Sequence, residues 1–398
     1  MKKSNLYLFL EINNFDFIFF VGKNDNQEKF EILYRYKLPI KGIENNRISD
    51  SEIAFNTIKE NIYLIEQKFN YTFREIVLIL ENFKPSFLNI TGFRKLNGSQ
   101  ILRENITYIL NTLKSYVDKT ELNKTILHIF NSKFNLDNKK ITNLPVGLFG
   151  DFYSHELSFT LINSNDYKNI KNIFDKCNIR IKKILVKSFI KGANISDNQN
   201  NIDTFFLIEI NEKNSKIFFF ENDSLKFEQN FEFGTEIIVK DISKITALNT
   251  EIVRVILNKI NLNEQILDDD LLEEEYFEEN NYRKIKKKLI YEIALARIKE
   301  IADIILFKNI NLKYSNKISN DIFLEVTKNI NLRGLQEIFR SIFSKKNYLE
   351  VNFNNKSSSD SIIETANKLV HFGWKKEAIP ITLSKKSKIA RFFDAIFG

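Results

Sequence analysis

Two separated stretches of the chain follow one plan, and that repeat constrains the fold more than any other feature. Residues 9–30 run Phe9-Leu10-Glu11-Ile12-Asn13, a polar turn, an apolar run from Phe17 to Val21, Gly22-Lys23-Asn24-Asp25 and a second alternating segment up to Phe30. Residues 206–227 repeat this as Phe206-Leu207-Ile208-Glu209-Ile210-Asn211, a polar turn, Ile217 to Phe220, Glu221-Asn222-Asp223 and an alternating segment from Leu225 on to Phe231. Alternating apolar positions bounded by Asn, Asp and Gly predict strands joined by tight turns. A chain that builds this unit twice is expected to form two similar halves facing each other across a cleft.

The remaining periodicity fits two α/β halves. Residues 50–70 predict a helix with Ile53, Ile58, Ile62, Ile65 and Phe69 on one face and Ser49 or Asp50 as its cap. Glu75 to Glu81 predicts a buried strand, 166–176 a helix and Arg180 to Val186 a strand. Helices are expected over 236–244 and 251–260, and a longer one over 288–307 with Leu289, Ile293, Ile298, Ile301 and Ile305 inward. Residues 83–163 interrupt the first half with strands and a helix expected over Ser99 to Ser115, which reads as an inserted subdomain.

The expected division is therefore 1–82 and 164–200 for the first half, 83–163 for the insertion and 201–375 for the second half. A linker over 376–384 and a terminal helix over 385–398 follow. Residues 268–288 carry an acidic run and then a basic one, without the spacing of an oxygen-ligand metal loop, and read as a solvated, mobile loop or a docking site for a partner.

Composition excludes several classes. The single cysteine, Cys177, leaves no intramolecular disulfide framework and no Cys-rich zinc site. No apolar stretch approaches the roughly 20 residues that span a bilayer. The N-terminal apolar run is broken by Glu11, Asn13, Asn14 and Asp16, which argues against a signal peptide. Gly is scarce, at 11 residues, which bears on any loop that must cradle phosphate. The histidines, His128, His155 and His371, are far apart in sequence, lack metal-ligand spacing and read as hydrogen-bonded structural residues.

The chain resembles the FtsA cell-division family over nearly its whole length. Leu144-Pro145-Val146-Gly147-Leu148-Phe149-Gly150 is similar to that family's Asn-Pro-Val-Gly-Leu-x-Gly. A helix ending at Cys177, before Ile179 and Ile181, resembles its Cys-Gly-Leu segment, and Arg297 sits where the family has Glu-Pro-Arg. Thr365-Ala366 through Leu369, His371, Phe372 and Gly373 resembles its Thr-Ala-x-Gly-Leu-x-His-Tyr-Gly. The resemblance implies an α/β, actin-like, two-lobed fold with an inserted α+β subdomain in the first half and a C-terminal amphipathic helix. It implies a peripheral protein on the cytoplasmic face of the inner membrane at the division site. Its implied partners are the FtsZ C-terminal tail, further copies of itself, the anionic membrane surface and later division proteins.

The resemblance also implies ATP with Mg, and here the sequence departs from the family. Phosphate-binding turns need Gly so that backbone N–H groups reach the phosphate oxygens without a Cβ in the way. The first turn, in the family Asp/Glu-Ile-Gly-Thr-x-Lys, reads Glu11-Ile12-Asn13-Asn14-Phe15-Asp16, with an acid in place of the Lys. The second, in the family Asp-Ile-Gly-Gly-Gly-Thr-x-Asp, reads Glu209-Ile210-Asn211-Glu212-Lys213-Asn214-Ser215-Lys216. The third, Thr-Gly-Gly in the family, aligns with Val326-Thr327-Lys328. One like-charge pair at close range costs on the order of 1–4 kcal/mol. A non-catalytic protein without effective ATP binding is expected, with a phosphate contact from Lys216 as the route to residual binding. An ATP-binding division ATPase with an altered site and a pilus-assembly scaffold of the same fold are the alternatives.

The C-terminal segment needs no family to be read. Ile389, Phe392, Phe393, Ile396 and Phe397 fall on one helical face, and Lys385, Lys386, Lys388 and Arg391 supply cations beside it. A bulky apolar face with a cationic flank predicts an in-plane membrane helix, whereas nucleic-acid binding would leave the aromatic residues exposed. Five such side chains are worth on the order of 10 kcal/mol gross, which ordering the segment largely offsets. Four cations add roughly 1 kcal/mol each near an anionic leaflet, so one helix is expected to bind reversibly and an array of them firmly.

Overall fold

The computed structural model describes residues 5–25, 29–44, 47–81, 83–199, 202–260, 266, 269–277, 282–312, 321–326, 335–344, 351–353 and 358–378. The chain separates into two compact units, Met1–Val186 with Lys368–Gly398, and Lys187–Asn367.

In the first unit, β1 (Leu6–Ile12), β2 (Asp16–Asn24) and β3 (Phe30–Pro39) form an antiparallel meander. A two-residue ladder, β4 (Ile43–Glu44) with β5 (Arg47–Ile48), leads into α1 (Ser51–Phe69) and then β6 (Glu75–Leu80). Leu8, Leu10 and Ile12 stand opposite Val21, Phe19 and Phe17 in the β1–β2 ladder, and all six enter one core with α1. Asp50 caps α1, accepting from the N–H of Glu52 and of Ile53 at 2.9 Å each, and Asn70 ends it in the left-handed region. Ala54, Ile58, Asn61, Ile62 and Ile65 are the buried face, while Ile53, expected inward, is 48% exposed, one residue before that stripe and about 100° round the helix from Ala54.

The insertion follows as β7 (Ser86–Lys95), α2 (Arg103–Thr120), β8 (Lys124–Leu136), β9 (Lys139–Ile141) and β10 (Phe152–Asn163). Its antiparallel sheet runs β7-β10-β8-β9 and has its own core, into which α2 buries Ile109, Leu110, Leu113 and Val117. The helix expected over 99–115 begins later. Ile101 stays in the preceding loop, fully buried and bonded through its N–H to the Leu148 carbonyl at 2.8 Å. The side chain of Asn105 then accepts the N–H of Leu102, which starts the helix. The chain returns through α3 (Ser164–Lys176) to β11 (Arg180–Val186), which completes the first sheet in the order β11-β6-β1-β2-β3.

The second unit opens with α4 (Lys187–Asn198) and repeats the meander as β12 (Phe205–Ile210), β13 (Ser215–Glu221) and β14 (Ser224–Phe231). Then come α5 (Glu236–Thr246), α6 (Thr250–Lys259) and α7 (Lys287–Ala302), extended by a π-helical turn over Asp303–Phe307. β15 (Asp321–Val326), α8 (Leu335–Phe343) and β16 (Val351–Phe353) follow, and α9 (Ser359–His371) begins in this unit, its residues from Lys368 on counting with the first. The sheet order, β14-β13-β12-β15-β16, matches that of the first unit strand for strand, with the same antiparallel and parallel pairings. The repeat read from the sequence is therefore a repeat of topology. Along α7 the inward residue is Ile290, and Leu289, expected there, is 38% exposed.

The described part of the charged segment exposes most of its acidic side chains, as a solvated loop would, but it is tethered to the second unit. Leu271 and Lys286 form a β-bridge, the Leu272 N–H donates to the Ile285 carbonyl at 2.8 Å, and Leu272 and Tyr276 are buried in the second unit's core. Lys286 pairs with Asp269 at 3.2 Å and Lys287 with Glu273 at 3.5 Å, so the acidic and basic runs lie side by side. Opposite charges brought together by the backbone bridge replace the mutual repulsion that separate runs would suffer.

Candidate functional site

The residues singled out in the first turn lie together between β1 and β2. The Asn13 Oδ1 accepts the N–H of Phe15 and of Asp16 at 2.8 Å each, and the Asn13 N–H donates to the Asp16 carbonyl at 3.2 Å. This is an Asx turn, in which a side-chain carbonyl satisfies the backbone donors of its own loop. Two amides of the kind that would cradle an anion are thereby used internally. The Asp16 carboxylate is held by Lys37 at 2.9 Å, and Phe15, 76% exposed, is the tip. Glu11 is buried in β1 before the turn.

The second turn, between β12 and β13, is closed from within as well. The Asn211 N–H donates to the Asn214 carbonyl at 2.9 Å, and its side-chain amide donates to the Asn214 Oδ1 at 2.9 Å. Arg254 of α6 pairs with the Glu212 carboxylate at 3.1 Å and approaches Glu236 at 4.0 Å. The carbonyls of Asn211 and Glu212 accept the N–H groups of Thr235 and Glu236, both at 2.9 Å, docking this turn on the start of α5. The docking requires Gly234, since a Cβ there would lie 2.0 Å from the Asn211 carbonyl oxygen. Lys216, the candidate phosphate contact, is buried in β13 directly opposite Glu209 of β12.

Sequence reading missed Lys191. It rises from α4, and its Nζ donates to Glu209 and, at 3.1 Å, to Glu325 of β15. Glu209 and Glu325 are register partners on adjacent parallel strands, so Lys216, Glu209 and Glu325 form a row across one face of the sheet. The Lys191, Glu209 and Glu325 side chains are only 7%, 9% and 4% exposed. No local spacing announces a triad drawn from a helix and two strands so distant in sequence; only the parallel pairing of β12 with β15 assembles it.

Thr327 and Lys328 of the third turn lie outside the described residues, as do Lys385, Lys386, Lys388, Ile389, Arg391, Phe392, Phe393, Ile396 and Phe397. The chain leading to that terminal segment is held in the first unit. Glu377 bridges to Phe130 of β8, the Asn131 N–H donates to the Lys376 carbonyl at 2.7 Å and the Ala378 N–H to the Ile129 carbonyl at 2.7 Å. Glu377 also receives Lys183 of β11 at 2.7 Å and lies 3.6 Å from the His128 Nδ1. Burial pulls the Glu377 carboxyl up, but the neighbouring His128 imidazole and the Lys183 ammonium outweigh it and hold its pKa low. Residues 376–378, expected at the start of a linker, are thus paired with the inserted subdomain.

The histidines, expected to be hydrogen-bonded, are not all satisfied. Both ring nitrogens of His155 are buried without a hydrogen-bond partner, and burial lowers its pKa to about 4. Burial also depresses His128 and His371. Cys177 is half-buried and its thiol is pushed up to about 11 by burial, as its apolar setting predicts for an unreactive thiol. Among the described residues, no group of three or more His, Cys, Asp or Glu side chains is placed to hold a metal ion.

No protein-family model matches the chain. It is 20% identical over 411 aligned residues to "Cell division protein FtsA" of Buchnera aphidicola subsp. Acyrthosiphon pisum (strain APS), covering 100% of this chain and 96% of that protein. It is 22% identical to the protein of the same name from Buchnera aphidicola subsp. Baizongia pistaciae (strain Bp), over 51% of this chain and 48% of that one. Among solved structures it resembles a chain of the "PilM-PilN type IV pilus biogenesis complex", with 10% identity, a TM-score of 0.50, and 93% and 96% of the two chains covered. Along its whole length, this chain therefore resembles the cell-division protein FtsA, and its fold is actin-like.

Proposed function

We propose that the chain is a non-catalytic cell-division adaptor of the FtsA type, which links FtsZ filaments to the cytoplasmic membrane and assembles on it without effective ATP binding. The division role is supported by the similarity to FtsA along the full length of both chains. The loss of ATP binding is supported above all by the first turn, whose Phe15 and Asp16 amides both donate to Asn13. A phosphate arriving there would have to displace an internal acceptor and would meet the Asp16 carboxylate and an exposed Phe15. Lys216 gives no compensation in this reading, because it is buried opposite Glu209. The membrane link is supported by the periodicity of the apolar residues from Ile389 to Phe397 and by the flanking cations.

Liposome flotation with and without residues 385–398 tests the tether. The intact chain should float with anionic vesicles and the truncated one should not, whereas unchanged binding would remove the tether from the account. Co-sedimentation with FtsZ polymers from the same cell tests the adaptor role in the same way.

A further inference from the structure

We propose that Glu209 and Glu325 form a two-carboxylate cation site across neighbouring strands, and that the chain fills it permanently with its own Lys191 ammonium. The inference deepens the reading of a degenerate nucleotide site and rests on it, but its geometry stands on contacts within the second unit alone.

Two carboxylates at register-paired positions of β12 and β15 project from the same face and are almost fully buried. Left alone, such a pair repels, and one member would take up a proton. Carboxylate oxygens converging in this way are also what a hard divalent cation takes as ligands. Here Lys191 bridges both acids, and Lys216 stands opposite Glu209 on the far strand. The four formal charges balance.

The ammonium is held there by the packing of α4. Gly192, next to Lys191, lies so close to Phe220 that a Cβ would fall 2.0 Å from the ring. One turn further on, Ser196 hydrogen-bonds Asp223. These two contacts, at the residue after the lysine and one turn further on, thus fix the height of the helix above the sheet. A tethered ammonium cannot exchange, and it occupies the carboxylate oxygens that a metal would need. The second unit is accordingly complete without an added cation.

The test is the melting temperature of the full chain with EDTA or with millimolar Mn²⁺ or Mg²⁺. The wild-type protein should melt at the same temperature in both conditions. Lys191→Ala should melt lower in EDTA and recover by roughly 5 °C or more with the divalent cation, which replaces the missing charge. Adding Glu325→Gln to Lys191→Ala removes one ligand and the repulsion together, so this double variant should fold without cation and lose the recovery. The proposal is overturned if Lys191→Ala melts equally, or is insoluble, in both conditions, or if the wild-type protein gains as much from the cation. Nucleotide binding by the wild-type chain alongside a cation-responsive Lys191→Ala would remove the adaptor reading and leave this inference standing.

Discussion

Asn13 and Asp16 close the first hairpin turn on itself: the Asp16 N–H donates to the Asn13 Oδ1 at 2.8 Å, and the Asn13 N–H returns to the Asp16 carbonyl at 3.2 Å. The Asn13 side chain supplies the acceptor that its own turn needs. Truncating it strands the Phe15 and Asp16 amides at a solvent-exposed tip, where water can replace only part of the bonding. Asn13→Ala should therefore cost about 1 kcal/mol. A melting temperature lowered by a few degrees is the expected readout, with no nucleotide binding gained.

Gly234 separates a steric requirement from a conformational one. A Cβ there would lie 2.0 Å and 2.6 Å from the carbonyl oxygens of Asn211 and Glu212, which are backbone and cannot step aside. Gly234→Ala should cost about 3 kcal/mol through forced displacement of the second turn. Gly373 has φ +76° and nothing within 4 Å of its ideal Cβ, so Gly373→Ala should cost only about 1 kcal/mol of backbone strain. Urea melts of the two variants side by side check the difference.

His155 is buried between Phe134 and Tyr153, with ring centroids 4.7 Å and 6.1 Å away and both nitrogens unpaired. Its folded pKa, about 4, lies below the ordinary 6.5, so the unfolded chain takes up its proton first as pH falls. Its contribution to stability is then full above pH 6.5 and is lost progressively down to about pH 4, by about 3 kcal/mol. His155→Leu removes two unsatisfied polar atoms and should be as stable as the wild type or more so at pH 7. Its stability should also fall less steeply between pH 6.5 and 4; an unchanged slope would assign the pH dependence to other groups.

Beside the backbone bonds of residues 376–378 to β8, the Glu377 carboxylate receives Lys183 of β11 at 2.7 Å. With the carboxyl gone, Lys183 keeps only a weak contact to the Leu369 carbonyl at 3.4 Å. Glu377→Ala should weaken this attachment by about 2 kcal/mol. Hydrogen exchange should then be faster at the amides of Asn131 and Ala378, which bond across the pairing, and unchanged at those of β12.

The sequence made the repeated meander legible because alternation and turn residues are local signals. The strand Arg180–Val186 and the cap at Asp50 were legible for the same reason. The start of α2 was not, since the helix read from Ser99 on rests on local pattern, while bonds of Ile101 to Leu148 and Gly147 hold the chain in a loop until Arg103. The anchoring of the charged segment was not legible either, because the bridge between Leu271 and Lys286 that pairs the two runs is tertiary. Of the candidate site, the turn residues were legible by position. Lys191 was not, because α4 and β15 meet Glu209 only in the folded sheet.

Calorimetric titration of Mg-ATP into the full-length protein tests the central claim most directly. The account predicts no saturable heat up to millimolar nucleotide, because the turn amides, Glu212 and Glu209 already have internal partners. Micromolar, saturable binding would contradict it.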